Sequence, residues 1–342
     1  PAGAASAIPP SEAPADPGLS AGDGGGQAPE LDPEAACVAV VADAKPQRRP
    51  VDIVWLVDNS ASMEPAVRAV TAGLNDFAAT IGQRQLDYRV IMLSLRGQKP
   101  VTRGGSKRYP VCVPAPLAGD DACGNGPRFV HSTLDVKSVQ PLEQLLGTLD
   151  QTAGYTPADE RGAEPWRAAL RPDATKTFVV VTDDDSRLSA RDFERFAGGA
   201  NPHNPSLRLP PGLLDASRNG QFEGYVLAAI YGWGSETDPA KRCAYADRTE
   251  PPSAGETYTE LVRRTGGPRA QICQRADAWR GFFDEVAKAV VTRAKIACDV
   301  DIPVGVWPRR CVALRRRAGP DEGALVPRRV LPRAGRPRGW RR

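Results

Sequence analysis

Asp58-Asn59-Ser60-Ala61-Ser62 puts one carboxylate and two hydroxyls at alternate positions, directly after an apolar run and directly before a stretch with helical spacing. Oxygen donors at i, i+2 and i+4 of a tight loop can converge on one hard cation. Mg²⁺ takes about six oxygens at roughly 2.1 Å and keeps several of its waters. Hydroxyl donors leave the charge of such a cation unneutralised, and so leave it electrophilic toward a ligand from outside. A second acidic run, Thr182-Asp183-Asp184-Asp185-Ser186, ends another apolar segment. If the two segments are neighbouring strands, Asp183 supplies a second carboxylate, directly or through water. Thr156, in Gly154-Tyr155-Thr156-Pro157, offers a third hydroxyl, with Thr152 close by. Plainer roles are open to the same residues. Ser and Asp favour helix N-termini, so Asp58, Ser60 and Ser62 could simply cap the helix that follows, and Asp183–Asp185 could be a solvated loop.

The surrounding pattern decides whether these residues can meet. Val51–Val57 is nearly continuous in apolar residues, as a central strand covered on both faces requires. Val67, Val70, Leu74, Phe77 and Ile81 predict a helix over 65–81, and Tyr88–Leu95 a second strand. Residues 97–127 are rich in Gly and Pro and predict a long loop, followed by a short edge strand at Arg128–His131. Helices are expected over 138–150, 159–170 and 189–196, the last with Ser189 as N-cap, and over 277–297. Further strands are expected at Thr177–Thr182, Gly224–Tyr231 and Arg269–Ile272. Strands alternating with helices predict an α/β fold with a Rossmann-like, doubly wound, mostly parallel sheet and helices on both faces. Ligands of such sheets bind beyond the carboxyl ends of the strands, where both acidic runs fall.

Asp58-x-Ser60-x-Ser62, a Thr in a loop before a predicted helix, and Thr182-Asp183 after a Val-rich strand together resemble the metal-ion-dependent adhesion site of von Willebrand factor A domains. The resemblance covers roughly residues 50–297. It implies that Asp58, Ser60, Ser62, Thr156 and Asp183 hold Mg²⁺, with Mn²⁺ or Ca²⁺ as substitutes. It also implies that a protein partner presenting Asp or Glu completes the shell. Members of the family often carry Thr-Asp-Gly where this chain has Thr-Asp-Asp-Asp-Ser, so Asp184 or Asp185 could share the ligand role. The long cysteine-bearing insertion resembles exported bacterial members more than compact integrin-type domains.

Composition sets the wider frame. Of the net charge of +4, residues 305–342 hold twelve Arg against Asp321 and Glu322, or +10, which leaves −6 for residues 1–304. A mildly acidic body does not suit a nucleic-acid-binding domain. No apolar run reaches the roughly 18–20 residues of a membrane-spanning helix. Residues 1–36, rich in Pro, Ala and Gly, are expected to be a disordered tether, residues 37–300 the domain, and 301–342 a disordered or aberrant Arg/Pro-rich tail. The tether suits a lipid or wall anchor lost with a leader. Seven cysteines without metal-ligand spacing suit an oxidising compartment, hence a secreted or cell-envelope location. Cys112 with Cys123 and Cys243 with Cys273 are the closest pairs, and Cys37 with Cys298 would join the domain's ends, but sequence leaves the connectivity open. Two other functions compete with metal-dependent adhesion. One is a metal-stabilised structural module of an envelope assembly. The other is a metal-dependent transferase or phosphatase using the Asp183–Asp185 run, disfavoured by the scarcity of His and the lack of a partner acid or base for Asp58. The sequence says nothing about oligomeric state.

Overall fold

In the computed structural model, residues 48–120, 122–274 and 276–294 are described. The expected tether and tail, and Cys37 and Cys298, lie outside them. The strands are β1 (Val51–Val57), β2 (Tyr88–Ser94), β3 (Val101–Arg103), β4 (Ser106–Arg108), β5 (Phe129–Thr133), β6 (Thr175–Val181), β7 (Gly199–Asn201), β8 (Asn204–Leu209), β9 (Val226–Tyr231) and β10 (Arg269–Gln271). The helices are α1 (Glu64–Gln83), α2 (Pro141–Asp150), α3 (Ala190–Arg195), α4 (Glu256–Thr265) and α5 (Trp279–Ala294).

Every residue of β1 is buried, as its apolar run requires. Successive side chains of a strand point to opposite faces, and β1 accordingly feeds two cores. Ile53, Trp55 and Val57 pack with Phe77 of α1 and Phe282 and Phe283 of α5. Val54 and Leu56 pack with Leu145 of α2, Phe193 of α3 and Tyr258 of α4. The main sheet has six strands in the order β10-β9-β6-β1-β2-β5, all parallel. The described residues therefore form an α/β, Rossmann-like sheet with helices on both faces.

Several elements differ from the sequence-based expectation. No helix spans 159–170; the chain there turns back on itself and forms only a short 3-10 turn at Arg167–Ala169. Pro165 lacks an N–H donor, and Gly162 lies so close to the Thr156 carbonyl that a Cβ would sit 1.6 Å from it. The spacing that suggested a helix comes from Ala163, Trp166 and Leu170, which reach the core from this folded-over loop. Helix α2 starts at Pro141 rather than 138, with proline in the first turn, where a missing N–H costs nothing. Residues 97–127 contain the β3-β4 hairpin, a second hairpin joins β7 to β8, and α4 lies where no helix is expected from the sequence. The signal for α4 was present in the helical spacing of Tyr258, Leu261, Val262 and Thr265 and in Gly266 beyond its end. Ser189 does cap α3, accepting from the Asp192 N–H at 3.0 Å.

Cys112–Cys123 and Cys243–Cys273 form disulfides, with Cα–Cα separations of 4.7 and 6.0 Å. The first closes the excursion after β2, and the second ties the excursion after β9 to the end of β10. Both excursions leave the carboxyl end of the sheet, on opposite sides of the β1–β6 pair.

Candidate metal centre

From β1 the chain proceeds to β2 and β5 on one side, and from β6 to β9 and β10 on the other. The crevice of such a sheet opens where this direction reverses, between β1 and β6. The two strands are in register through Val57 opposite Val181, and the Asp58 N–H donates to the Val181 carbonyl at 3.0 Å. Asp58 and Thr182 are thus the first residues beyond a matched pair of strand ends, and both acidic runs arrive at one place.

Their side chains are linked. Asp58 Oδ1 accepts from the Ser60 N–H at 2.8 Å, and Asp58 Oδ2 accepts from the Thr182 hydroxyl at 3.0 Å. Ser60 Oγ lies 3.3 Å from Ser62 Oγ, and the Ser62 hydroxyl is hydrogen-bonded to the Asp183 carboxylate. Asp58 and Asp183 are buried, and Asp183 Oδ1 has no hydrogen-bond partner. Burial pushes the Asp58 carboxyl up to about 7; hydrogen bonds from Ser60 and Thr182 oppose that rise, and the charge of Asp183 adds to it. Burial also raises Asp183, and it raises Asp184, where the charges of Asp183 and Asp185 act in the same direction. No basic side chain is among the groups acting on these three carboxylates.

The polar surroundings serve a cation better than they serve a helix cap. Ser60 precedes the 3-10 turn Ala61–Met63 without a side-chain cap, and Met63 occupies the N-cap position of α1. What remains is a set of oxygen donors holding buried negative charge without compensation, one carboxylate oxygen being unpartnered. Burying charge in this way is costly unless a counter-charge is supplied, and carboxylate and hydroxyl oxygens suit a hard divalent ion. Among the described residues no three His, Cys, Asp or Glu side chains group as a metal cage, so hydroxyls and water would have to fill part of any shell.

Thr156 stands apart from this set. Its N–H and hydroxyl both donate to Asp159 Oδ2, at 2.9 and 2.7 Å, and none of its hydrogen bonds reaches Asp58, Ser60, Ser62 or Asp183. Asp185 is also engaged: its carboxylate accepts from the Thr257 N–H in the first turn of α4 at 3.1 Å, and from the Ser186 N–H at 2.8 Å. Asp184 is half-buried, and its N–H donates to Thr182 Oγ1 at 3.2 Å.

Two contributors escaped the sequence reading. Thr182 reads as the last residue of a strand, yet its hydroxyl is the one that touches Asp58. Asn59 reads as a spacer between ligands but is fully buried. Its Oδ1 accepts from the Leu95 and Val136 N–H groups at 3.0 and 3.2 Å, and its Nδ2 donates to the Tyr109 carbonyl at 2.7 Å. One side chain therefore fixes the loops after β2, β4 and β5 around the Asp58 turn. Only a polar residue between two polar neighbours hinted at this. Neither protein-family models nor curated proteins match the chain, so the geometry of Asp58, Ser60, Ser62 and Asp183 is what bears on its function.

Proposed function

We propose that this chain is a von Willebrand factor A-type domain that holds a divalent cation, Mg²⁺ in the first instance, and engages an acidic side chain of a protein partner through it. The observation that carries the proposal is the meeting of Asp58, Ser60, Ser62 and Asp183 at the β1–β6 crevice, with Asp183 Oδ1 buried and unpartnered. The cation, when bound, would supply a positive centre with room for a carboxylate oxygen from outside. Asp58 and Asp183 would contribute the charge, Ser60 and Ser62 neutral oxygens. Thr182 and the Ser60 N–H hold the Asp58 carboxylate in place, and Asn59 holds the loop that carries it. Thr156 would join this set only by giving up Asp159.

An exported or cell-surface location fits the two disulfides, which persist in oxidising compartments. Among the described residues no helix is long and apolar enough to cross a membrane. With Asp185 committed to α4, the acidic run offers Asp183 and Asp184 rather than a free triad, which weakens the transferase alternative.

Calorimetric titration of Mg²⁺, Mn²⁺ and Ca²⁺ into the full chain and into Asp58→Ala tests the proposal. One saturable site, lost in the variant, is expected. Equal behaviour of the two proteins would reject the metal site. Metal binding that raises the melting temperature while no acidic ligand ever competes with or adds to it would favour the structural module instead.

A further inference from the structure

Residues 96–108 hold Arg96, Lys99, Arg103, Lys107 and Arg108 and no acidic residue. The two outer arginines are answered from the rest of the domain: Arg96 lies 4.0 Å from a Glu164 carboxylate oxygen, and Arg108 lies 3.5 Å from one of Asp135. Lys99, Arg103 and Lys107 form no ion pair among the described residues, and Lys107 reaches Glu64 only through its field. All three belong to the β3-β4 ribbon or the stretch leading into it. Every residue from Gln98 to Lys107 is exposed, and none belongs to either core. At the tip Gly104 and Gly105 have φ of +55° and +75°, and a Cβ on either would meet nothing within 4 Å. The base is fixed. The Tyr109 N–H donates to the Asn59 carbonyl at 2.9 Å, and the Val111 N–H to the Leu95 carbonyl at 2.7 Å. A two-stranded hairpin without a covered face adds little stability, so folding does not account for the unpaired cations it carries.

We infer that the β3-β4 ribbon enters, tip first, the headgroup layer of a bilayer carrying anionic phospholipid, and is held there by Lys99, Arg103 and Lys107. The strand register decides how the charges are shared. Arg103 pairs with Ser106 and Lys107 with Thr102, so these neighbouring pairs put their cations on opposite faces of the ribbon. A rigid protein surface meets one face at a time. Mobile headgroups surround the ribbon and answer both. The glycines at the tip leave no side chain to obstruct entry. Three residue pairs are about 10 Å of strand, enough to cross a headgroup layer of roughly 5–8 Å. The two disulfides suit compartments outside the cytosol, where a bilayer surface is at hand and nucleic acid is not. The contact is electrostatic, so salt weakens it, and it asks nothing of the cation site proposed above.

The test uses the full chain in EDTA and vesicles of equal parts phosphatidylglycerol and phosphatidylcholine, read by co-sedimentation. One basic residue beside an anionic surface is worth about fivefold in binding, and three about a hundredfold. The triple variant Lys99→Ser, Arg103→Ser, Lys107→Ser should therefore bind about a hundredfold more weakly than the parent. Its melting temperature should not change, because all three side chains are exposed. Arg103→Glu, a single change beside the tip, should weaken binding at least about fivefold and guards against a folding defect in the triple variant. Removing as many charges at the amino end of the sheet, in Arg49→Ser, Arg84→Ser, Arg128→Ser, should cost no more than about fivefold. Vesicles of phosphatidylcholine alone should retain none of these proteins. Equal binding of parent and ribbon variants would overturn the assignment and give any retention to the twelve arginines of residues 305–342. An equal loss in the amino-end variant would also overturn it, by reducing the effect to net charge. A mixed-sequence DNA duplex that binds the parent more tightly than the vesicles, and the ribbon variants weakly, would place the ribbon in a major groove instead.

Discussion

Strands β1 and β6 bury carboxylates at both of their ends, and the two ends treat them oppositely. At the amino end Asp52 is fully buried, and its oxygens lie 2.9 Å from Arg171 Nε and 3.5 Å from Lys176 Nζ. Lys176 faces Asp52 in the strand register, so the pair is built into the sheet. At the carboxyl end Asp58 and Asp183 are buried with hydroxyls and N–H groups but no basic side chain. The buried bases differ in the same sense. Lys176 is held by Asp52 and donates to the Arg171 and Ala174 carbonyls, whereas burial pushes His131 down to about 4 and keeps it neutral beside Ser94. A carboxylate neutralised by its own protein supports the fold; one left without a counter-charge at a crevice is available to something from outside.

The largest effect is expected at the amino end. Asp52→Asn leaves Lys176 buried without its partner and should cost about 3–5 kcal/mol in urea unfolding, with or without Mg²⁺. Asp58→Asn should instead leave the metal-free protein at least as stable as the parent, because it removes a buried charge facing Asp183. A loss at Asp58 as large as that at Asp52 would erase the distinction between the two ends.

His131 probes the carboxyl end by pH. Its folded pKa of about 4 lies below the ordinary histidine value, so the unfolded chain binds the extra proton first. Its contribution is therefore complete above about pH 6.5 and is lost as pH falls from there toward 4, by about 3 kcal/mol. His131→Gln should flatten that part of the stability–pH curve relative to the parent, and an unchanged curve would count against a buried neutral imidazole.

Metal addition should act at one end only. At one hundred times its dissociation constant, Mg²⁺ should stabilise the parent by about 2.7 kcal/mol and leave Asp58→Ala unaffected in thermal unfolding. Among the hydroxyls the effects should be smaller. Thr182→Val removes the donor to Asp58 and should cost about 1 kcal/mol. Thr156→Val should leave Mg²⁺ affinity within about threefold, less than 1 kcal/mol, because its hydroxyl is given to Asp159. A larger loss in calorimetry would show that Thr156 leaves Asp159 to reach the cation.

Much of the fold was legible because burial leaves a periodic record. The runs at Val51–Val57 and Thr177–Thr182 read as central strands, and the aspartate directly after each, Asp58 and Asp183, gave the candidate site its two carboxylates. The 159–170 segment misled because Ala163, Trp166 and Leu170 are core residues of a folded-over loop. Side chains that enter a core from irregular backbone can carry helical spacing without a helix. Helix α4 has helical spacing too, but the Pro- and Gly-containing stretch directly before it obscures that spacing along the chain.

The sequence by itself determined the strands of the main sheet and the residues that follow them, and it marked the two closest cysteine pairs as candidates, since apolar runs, turn residues and short separations act locally. Only the tertiary structure decided that β1 and β6 lie side by side at the reversal of strand order, so that Asp58 and Asp183 share a crevice. It also decided that Thr182 rather than Thr156 touches Asp58, that Asp185 caps α4, and that Asn59 gathers three loops. These are pairings between residues up to 124 positions apart, made by strand register and by hydrogen bonds across loops, and such pairings leave no periodic mark along the chain.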